Sequence, residues 1–441
     1  MGIEQKLAQV ALAPVAGVDA LAMMRLSILD WAACGIAGTT EPVAGITRGR
    51  VLADGGREDA QVFGGGRVPA RAAALANGTI SHALDFDDTH FAHIGHPSVA
   101  VVPAALALAE RQGAGFQDFV EAALIGVEGS IRTGVWLGRD HYEVGFHQTA
   151  TAGAIGATLA AGRILRLTTD QMIAAIGIAA TRASGLKSQF GTMGKPYNAG
   201  IAAETGVEAA LLAQAGMTST IAGLGGPQGL GPTHHGAAEI DAVSDFGQTW
   251  LFETISHKFH ACCHGLHAML EAVASAGLDA KDVASVTIQT HPRWMTVCNK
   301  PDPVTGLEAK FSYRQTCAMA LHGVETASIA SFTDATAARA DLVATRQLIK
   351  VEPTSRLSEM QARVTFTLHN GETRESFHDL DAKMPIDTRQ AKILRKAKGL
   401  IGDRHGPIWT AIQRNDITGF VAGLAQGFWG GLMFARPDSL L

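Results

Sequence analysis

A chain of 441 residues is longer than one compact core usually holds, so two lobes are expected. The net charge of -5, with no block of like charges, excludes the basic face that a nucleic-acid partner would need. Apolar residues make up 47% and charged residues only 17%, with Ala and Gly abundant, which points to closely packed helices rather than a β-sandwich.

The N-terminus, Met1 to Ala20, reads as a first helix rather than a signal peptide, because Pro14 and Asp19 interrupt its apolar stretch. Position 6 is Lys6, so Gly2 lacks a myristoylation context. Helical periodicity then runs through Ala20–Ala37, Ala70–Phe86, Ser98–Gln112, Phe116–Arg132, Thr149–Leu165, Thr169–Ala183 and Gly200–Ala215. Thr169, before Asp170 and Gln171, is a candidate cap. The longest apolar run, around Pro97 to Ala109, is too short to span a bilayer, so no membrane partner is expected.

Character changes near residue 280. Ser285–His291, Leu348–Glu352 and Arg363–His369 are short, β-branched and bounded by turn residues. Asn370-Gly371 then leads into Glu372–Phe377, a hairpin signal with a primed turn. Helical stretches, Phe311–Leu321 and Thr336–Val343, lie between these strands, and Thr388–Ala397 and Asp403–Phe428 are helical again. The fold class expected is mainly α, with a large all-helical domain (1–256, completed by 389–441) and a smaller α+β lobe (257–388).

The five cysteines, Cys34, Cys262, Cys263, Cys298 and Cys317, form no CxxC pair, which fits reduced thiols and a cytoplasmic location. The densest polar constellation is Ser81–His90 (SHALDFDDTH), followed by His93 and His96-Pro97-Ser98. Such a set is costly to desolvate unless its members pair with one another or meet a ligand. A polar loop capping the next helix and a divalent-metal site on Asp85, Asp87 and Asp88 are the alternatives to a catalytic cluster. No HExxH or HxxEH spacing supports metal.

A second cluster, His257 to His267, carries His and Cys at helical spacing, so zinc stands beside a plain loop-to-helix entry. Lys195, in a Gly- and Pro-bearing loop before a helix expected near Gly200, can neutralise a carboxylate or simply be solvated. Gly223–Gly229 does not fit GxGxxG and follows no strand, so no dinucleotide site is expected there.

Asn77–Thr89 (NGTISHALDFDDT), Gly95–Ser98 (GHPS), Gly145–His147 (GFH), Gly191–Ala203 (GTMGKPYNAGIAA), Lys258–His267 and Glu308–Ser312 (EAKFS) occur in an order that resembles the MmgE/PrpD family. That family contains 2-methylcitrate dehydratases, cis-aconitate decarboxylases and an iminodisuccinate epimerase. The resemblance implies a helical domain completed by the C-terminus, an α+β lid, an active site between them, a homodimer, and no cofactor or metal. It places Asp85, Thr89, His96, His147, Lys195 and Lys258 in the pocket. Lys195 and Lys258 would neutralise substrate carboxylates, and Thr89 would hydrogen-bond a carboxylate or hydroxyl. His96 and His147 would move the proton, and Asp85 would hold one imidazole in its productive tautomer.

Three departures bear on the reaction. Cys263 stands where the decarboxylases carry a histidine, Gln315 stands where the family often has a tyrosine, and one extra residue separates Thr89 from His96. They favour dehydration of a 2-hydroxy polycarboxylate such as 2-methylcitrate over cis-aconitate decarboxylation. Epimerisation of a diacid is the alternative, with Cys263 opposite a histidine as a two-base pair.

Overall fold

The structure, a computed structural model, describes residues 2–238 and 240–426. In chain order the elements are α1 (Ile3–Leu12), α2 (Val18–Gly38), α3 (Pro42–Asp54), β1 (Ala60–Gln61), β2 (Arg67–Val68), α4 (Ala70–Ser81), α5 (Ser98–Gln112), α6 (Phe116–Glu143), α7 (Gln148–Ile164), α8 (Thr169–Ala180), α9 (Gly194–Gln214) and α10 (Leu230–Thr233). They continue with α11 (His267–Ala276), β3 (Val283–Thr290), α12 (Trp294–Val297), α13 (Gly306–Ala309), α14 (Tyr313–Leu321), α15 (Asp334–Ala337), α16 (Ala340–Gln347), β4 (Ile349–Pro353), β5 (Gln361–Leu368) and β6 (Thr373–Asp379). Three helices follow, α17 (Ile386–Ile401), α18 (His405–Gln413) and α19 (Ile417–Ala425).

The chain divides into two compact units. One comprises the residues up to Glu253 together with those from Asp403 onward, and the other is Thr254–Gly402. The helical return expected at 389 therefore begins later, because α17 groups with the second unit. Phe428, the expected end of the last helix, lies outside the described residues.

Among its described residues, the first unit carries helices and one two-stranded ribbon, β1–β2. α7 packs against α5, α6, α8 and α9, and it is buried almost all round, as its run of small residues requires. Small residues also set how closely neighbours approach. A Cβ on Gly78 of α4 would sit 2.9 Å from the Gly200 Cα of α9, so the two backbones touch where any side chain would part them.

α2 has 21 residues and a mean hydropathy of 1.4 over its most apolar window, so by length and composition it could cross a bilayer, contrary to the expectation from sequence. That window is 78% buried against neighbouring helices, the surroundings of a core helix. The first expected helix ends at Leu12, leaving Pro14 in the connection. α8 is capped by Thr168 rather than Thr169: its hydroxyl accepts from Gln171 N, and Gln171 Oε1 accepts from Thr168 N, closing a capping box.

In the second unit the sheet order is β4-β3-β5-β6, with β3–β4 parallel and the other pairs antiparallel. β5 alternates strictly, burying Ala362, Val364, Phe366 and Leu368 on the side where α11 packs. The β5–β6 hairpin forms as expected, but its turn is not primed. Both primed turns need positive φ at the first central residue, Asn370, and only Gly371 has it (φ 86°). Leu368 N donates to Glu372 O at 2.8 Å across this three-residue loop. The helix expected at 336–343 is interrupted, with α15 ending at Ala337 and α16 starting at Ala340.

Candidate active site

The first cluster is built on the loop between α4 and α5. α4 stops at Ser81, five residues before the expected end, because Asp85 takes a left-handed φ of 51° that no helix continues. Ile94 holds φ 52° in the same loop, rare for a β-branched residue, so the surrounding contacts must fix it. Two of the loop's four histidines are such fixings. His90 Nε2 donates to Leu251 O at 3.0 Å, and His93 Nε2 lies 3.2 Å from Ser130 Oγ. Burial pushes His90 down to about 4 and His93 down to about 3, so both are neutral pins.

The other two histidines meet at Asp87. Its Oδ1 lies 2.9 Å from His82 Nδ1 and its Oδ2 lies 2.8 Å from His96 Nδ1. Burial alone would raise this carboxyl, yet His82 and His96 outweigh it and hold Asp87 well below the usual carboxylate range. The His82 and His96 rings meet edge to face with centroids 4.6 Å apart, and His82 stacks on His147 at 6.2 Å. On the far side of His96, Asp85 Oδ1 lies 3.3 Å from Nε2 and 2.6 Å from Lys195 Nζ.

Lys195 is in the first turn of α9, which starts at Gly194 rather than near Gly200. Pro196 is tolerated there because the first N–H groups of a helix have no partner within it. The ammonium stands 5.4 Å from the centre of the Phe190 ring, which meets His147 edge-on at 4.9 Å. His147 is the residue before α7, with its backbone N–H donating to Gly185 O at 3.0 Å. Asn198, one turn after Lys195, places Nδ2 3.2 Å from His147 Nδ1. Burial, with His82, Lys195 and His96 nearby, holds His147 well below its ordinary range. Thr89 is half-buried on the same loop, beside the His90–Gly95 bridge.

In the second unit, Lys258 is buried and Cys263 half-buried. Hydrogen bonding to the Cys263 thiol, with burial, raises the Cys298 thiol far above its ordinary range. Cys263 N donates to Lys310 O at 2.9 Å. Gln315 is fully buried and committed: its Oε1 accepts from Arg346 Nη1 at 3.0 Å and its Nε2 points at Thr336 O at 3.4 Å. Of the four histidines of this cluster, His257 pairs with Arg389, His260 with Thr326 and Glu271, and His264 with Ser256, while the His267 ring packs against those of His260 and His264 at 5.1 and 4.6 Å.

Family models for the MmgE/PrpD N-terminal and C-terminal domains match residues 5–242 and 260–407. The chain belongs to the MmgE/PrpD family. Among its relatives, the cis-aconitate decarboxylase of Aspergillus terreus is 32% identical over 271 residues, covering 58% of this chain and 55% of that protein. Human cis-aconitate decarboxylase is 29% identical over 315 residues, covering 67% and 65%. The chain thus spans little more than half the length of the first curated relatives it matches.

Within this MmgE/PrpD chain, the first unit brings Asp85, His96, His147 and Lys195 together. Sequence reasoning gave the tautomer-holding role to Asp85, but Asp87 is the carboxylate on Nδ1 of His96. It gave no role to His82, although His82 belongs to the polar constellation, and none to Asn198, which only its position one turn beyond Lys195 signals. Asp88, named beside Asp85 and Asp87 as a metal donor, turns away to Ser98. Among the described residues the one grouping of metal-capable donors is His82, Asp85, Asp87 and His96, within 4.8 Å of one another. Their chemistry suits proton transfer better than a cation: both Asp87 oxygens face imidazole nitrogens and Asp85 faces an ammonium.

Proposed function

We propose that this chain is a lyase acting on a small tricarboxylate by carbon–proton chemistry, with dehydration of a 2-hydroxy polycarboxylate such as 2-methylcitrate as its reaction. One observation carries the reading: His96 stands between two carboxylates, the outer of which is paired with Lys195 at 2.6 Å. A substrate carboxylate can take the place of Asp85 on Lys195, and its neutralisation acidifies the neighbouring C–H. An imidazole takes that proton, the C–H electron pair becomes the new C=C bond, and the C–O bond breaks. The departing hydroxide leaves as water once it is protonated.

Decarboxylation of cis-aconitate is the second reading, favoured by relatives that bear that name. There the C–C bond to carbon dioxide breaks, its electron pair stays on carbon, and an imidazolium supplies the replacing proton. Cys263 and Gln315, at positions where the resemblance expects histidine and tyrosine, weigh against it.

Incubating the purified chain with 2-methylcitrate, citrate and cis-aconitate separates these readings by product. An unsaturated acid formed from a hydroxy acid supports dehydration. Carbon dioxide from cis-aconitate supports the second reading, and no product from any of the three contradicts both.

A further inference from the structure

Asp87 and Asn198 lie behind the imidazoles, and each contacts an Nδ1. Asp87 is fully buried and ionised, and an ionised carboxylate only accepts hydrogen bonds. Both of its imidazole partners must therefore carry their hydrogen on Nδ1. Asn198 is 5% exposed and also directs Nδ2 at Leu186 O, 3.4 Å away, which orients its amide. Its NH2 group meets His147 Nδ1, so that nitrogen must be the bare acceptor.

We infer that Asp87 and Asn198 are positioning residues that impose opposite tautomers on His96 and His147. Resting on the proton-transfer reading above, this assigns distinct roles to the two rings. On His96, Nδ1 is occupied, so Nε2, on the side of Asp85 and Lys195, is the one nitrogen able to exchange a proton with substrate. On His147, Nδ1 is bare and Nε2 carries the hydrogen. Because burial keeps this ring neutral, it donates a hydrogen bond to developing negative charge and does not give up its proton. One histidine shuttles the proton and the other stabilises charge. His82 shares Asp87 with His96, so its tautomer is tied to that of the working ring.

Nitrogen-15 NMR of histidine-labelled protein reads protonation at each ring nitrogen without any substrate, with His82→Gln, His96→Gln and His147→Gln supplying assignments. The native chain should show Nδ1 protonated in His82 and His96 and bare in His147. Asparagine offers one acceptor oxygen where Asp87 offers two, so Asp87→Asn should move the hydrogen to Nε2 in one of the first two rings. Its kcat should fall roughly 10²- to 10⁴-fold with KM little changed, since Asp87 lies behind the ring. Asn198→Asp provides a second variant should Asp87→Asn fold poorly, and it should move the His147 hydrogen from Nε2 to Nδ1. A bare Nδ1 in native His82 or His96, a protonated Nδ1 in native His147, or substitutions that leave the tautomers unchanged would overturn the inference. Correct tautomers in a chain with no activity on any tricarboxylate would instead remove the proposed reaction and leave the positioning intact.

Discussion

At the residue scale, Asp88 shows how one position along a chain can reverse a group's behaviour. Its neighbour Asp87 faces two imidazoles, whereas Asp88 accepts from Ser98 Oγ at 2.6 Å at the start of α5. Burial, then Asp30 beside it, pushes the Asp88 carboxyl up to about 7. Between its unfolded value of 3.8 and about 7, the folded chain keeps this proton while the unfolded chain has lost it. The contribution of Asp88 to stability therefore falls as pH rises through that window. Asp88→Asn removes the dependence, so the stability of the variant relative to the native chain should improve by roughly 2–4 kcal/mol between pH 4 and pH 8. Urea unfolding at both values measures it, and a pH-independent difference would show that Asp88 ionises normally. His90 and His93 act in the opposite sense, losing stability as pH falls below 6.5, but both proteins share them and the difference cancels their effect.

At the scale of elements, the site depends on how closely α4 and α9 approach, since α4 ends just before His82 and α9 carries Lys195 and Asn198. A Cβ at Gly200 would collide with Thr79 Oγ1 and the Leu75 carbonyl. Gly200→Ala should cost about 1–3 kcal/mol in chemical denaturation. It should also lower turnover by moving Asn198 away from His147, and unchanged stability would mean that the helices separate freely. Most helices were legible in the sequence because they bury a continuous face or are small and apolar all round. Ser98–Gln112 is found with both ends where the periodicity puts them. Boundaries failed where polar or special residues govern. Pro196 disguised the first turn of α9 as a loop, and the acidic run after Ser81 disguised the end of α4. The residues of the cluster were legible by type, but their pairing was not. Asp85, Asp87 and Asp88 are alike in sequence, yet Asp85 meets Nε2 of His96, Asp87 meets Nδ1 of His82 and His96, and Asp88 meets Ser98.

At the scale of the whole molecule, each unit carries its own polar cluster. The first unit, with His96, His147, Asp85, Asp87 and Lys195, accounts for the proton chemistry proposed here. Because its donors already satisfy one another, prolonged chelator treatment should leave turnover within about 2-fold of the untreated protein. A loss restored by a divalent ion would return His82, Asp85, Asp87 and His96 to the role of metal ligands. Proton NMR in D2O tests the central claim most directly, with 2-methylcitrate, citrate, cis-aconitate and iminodisuccinate as substrates and Lys195→Ala as control. The native chain should turn a hydroxy acid into its alkene, read as a vinylic proton from citrate or as an allylic methyl singlet from 2-methylcitrate, and Lys195→Ala should reduce its rate by roughly 10²-fold or more. Deuterium entering iminodisuccinate with its skeleton intact would replace dehydration with epimerisation. Equal turnover by the native chain and Lys195→Ala, or silence from every acid, would contradict the account.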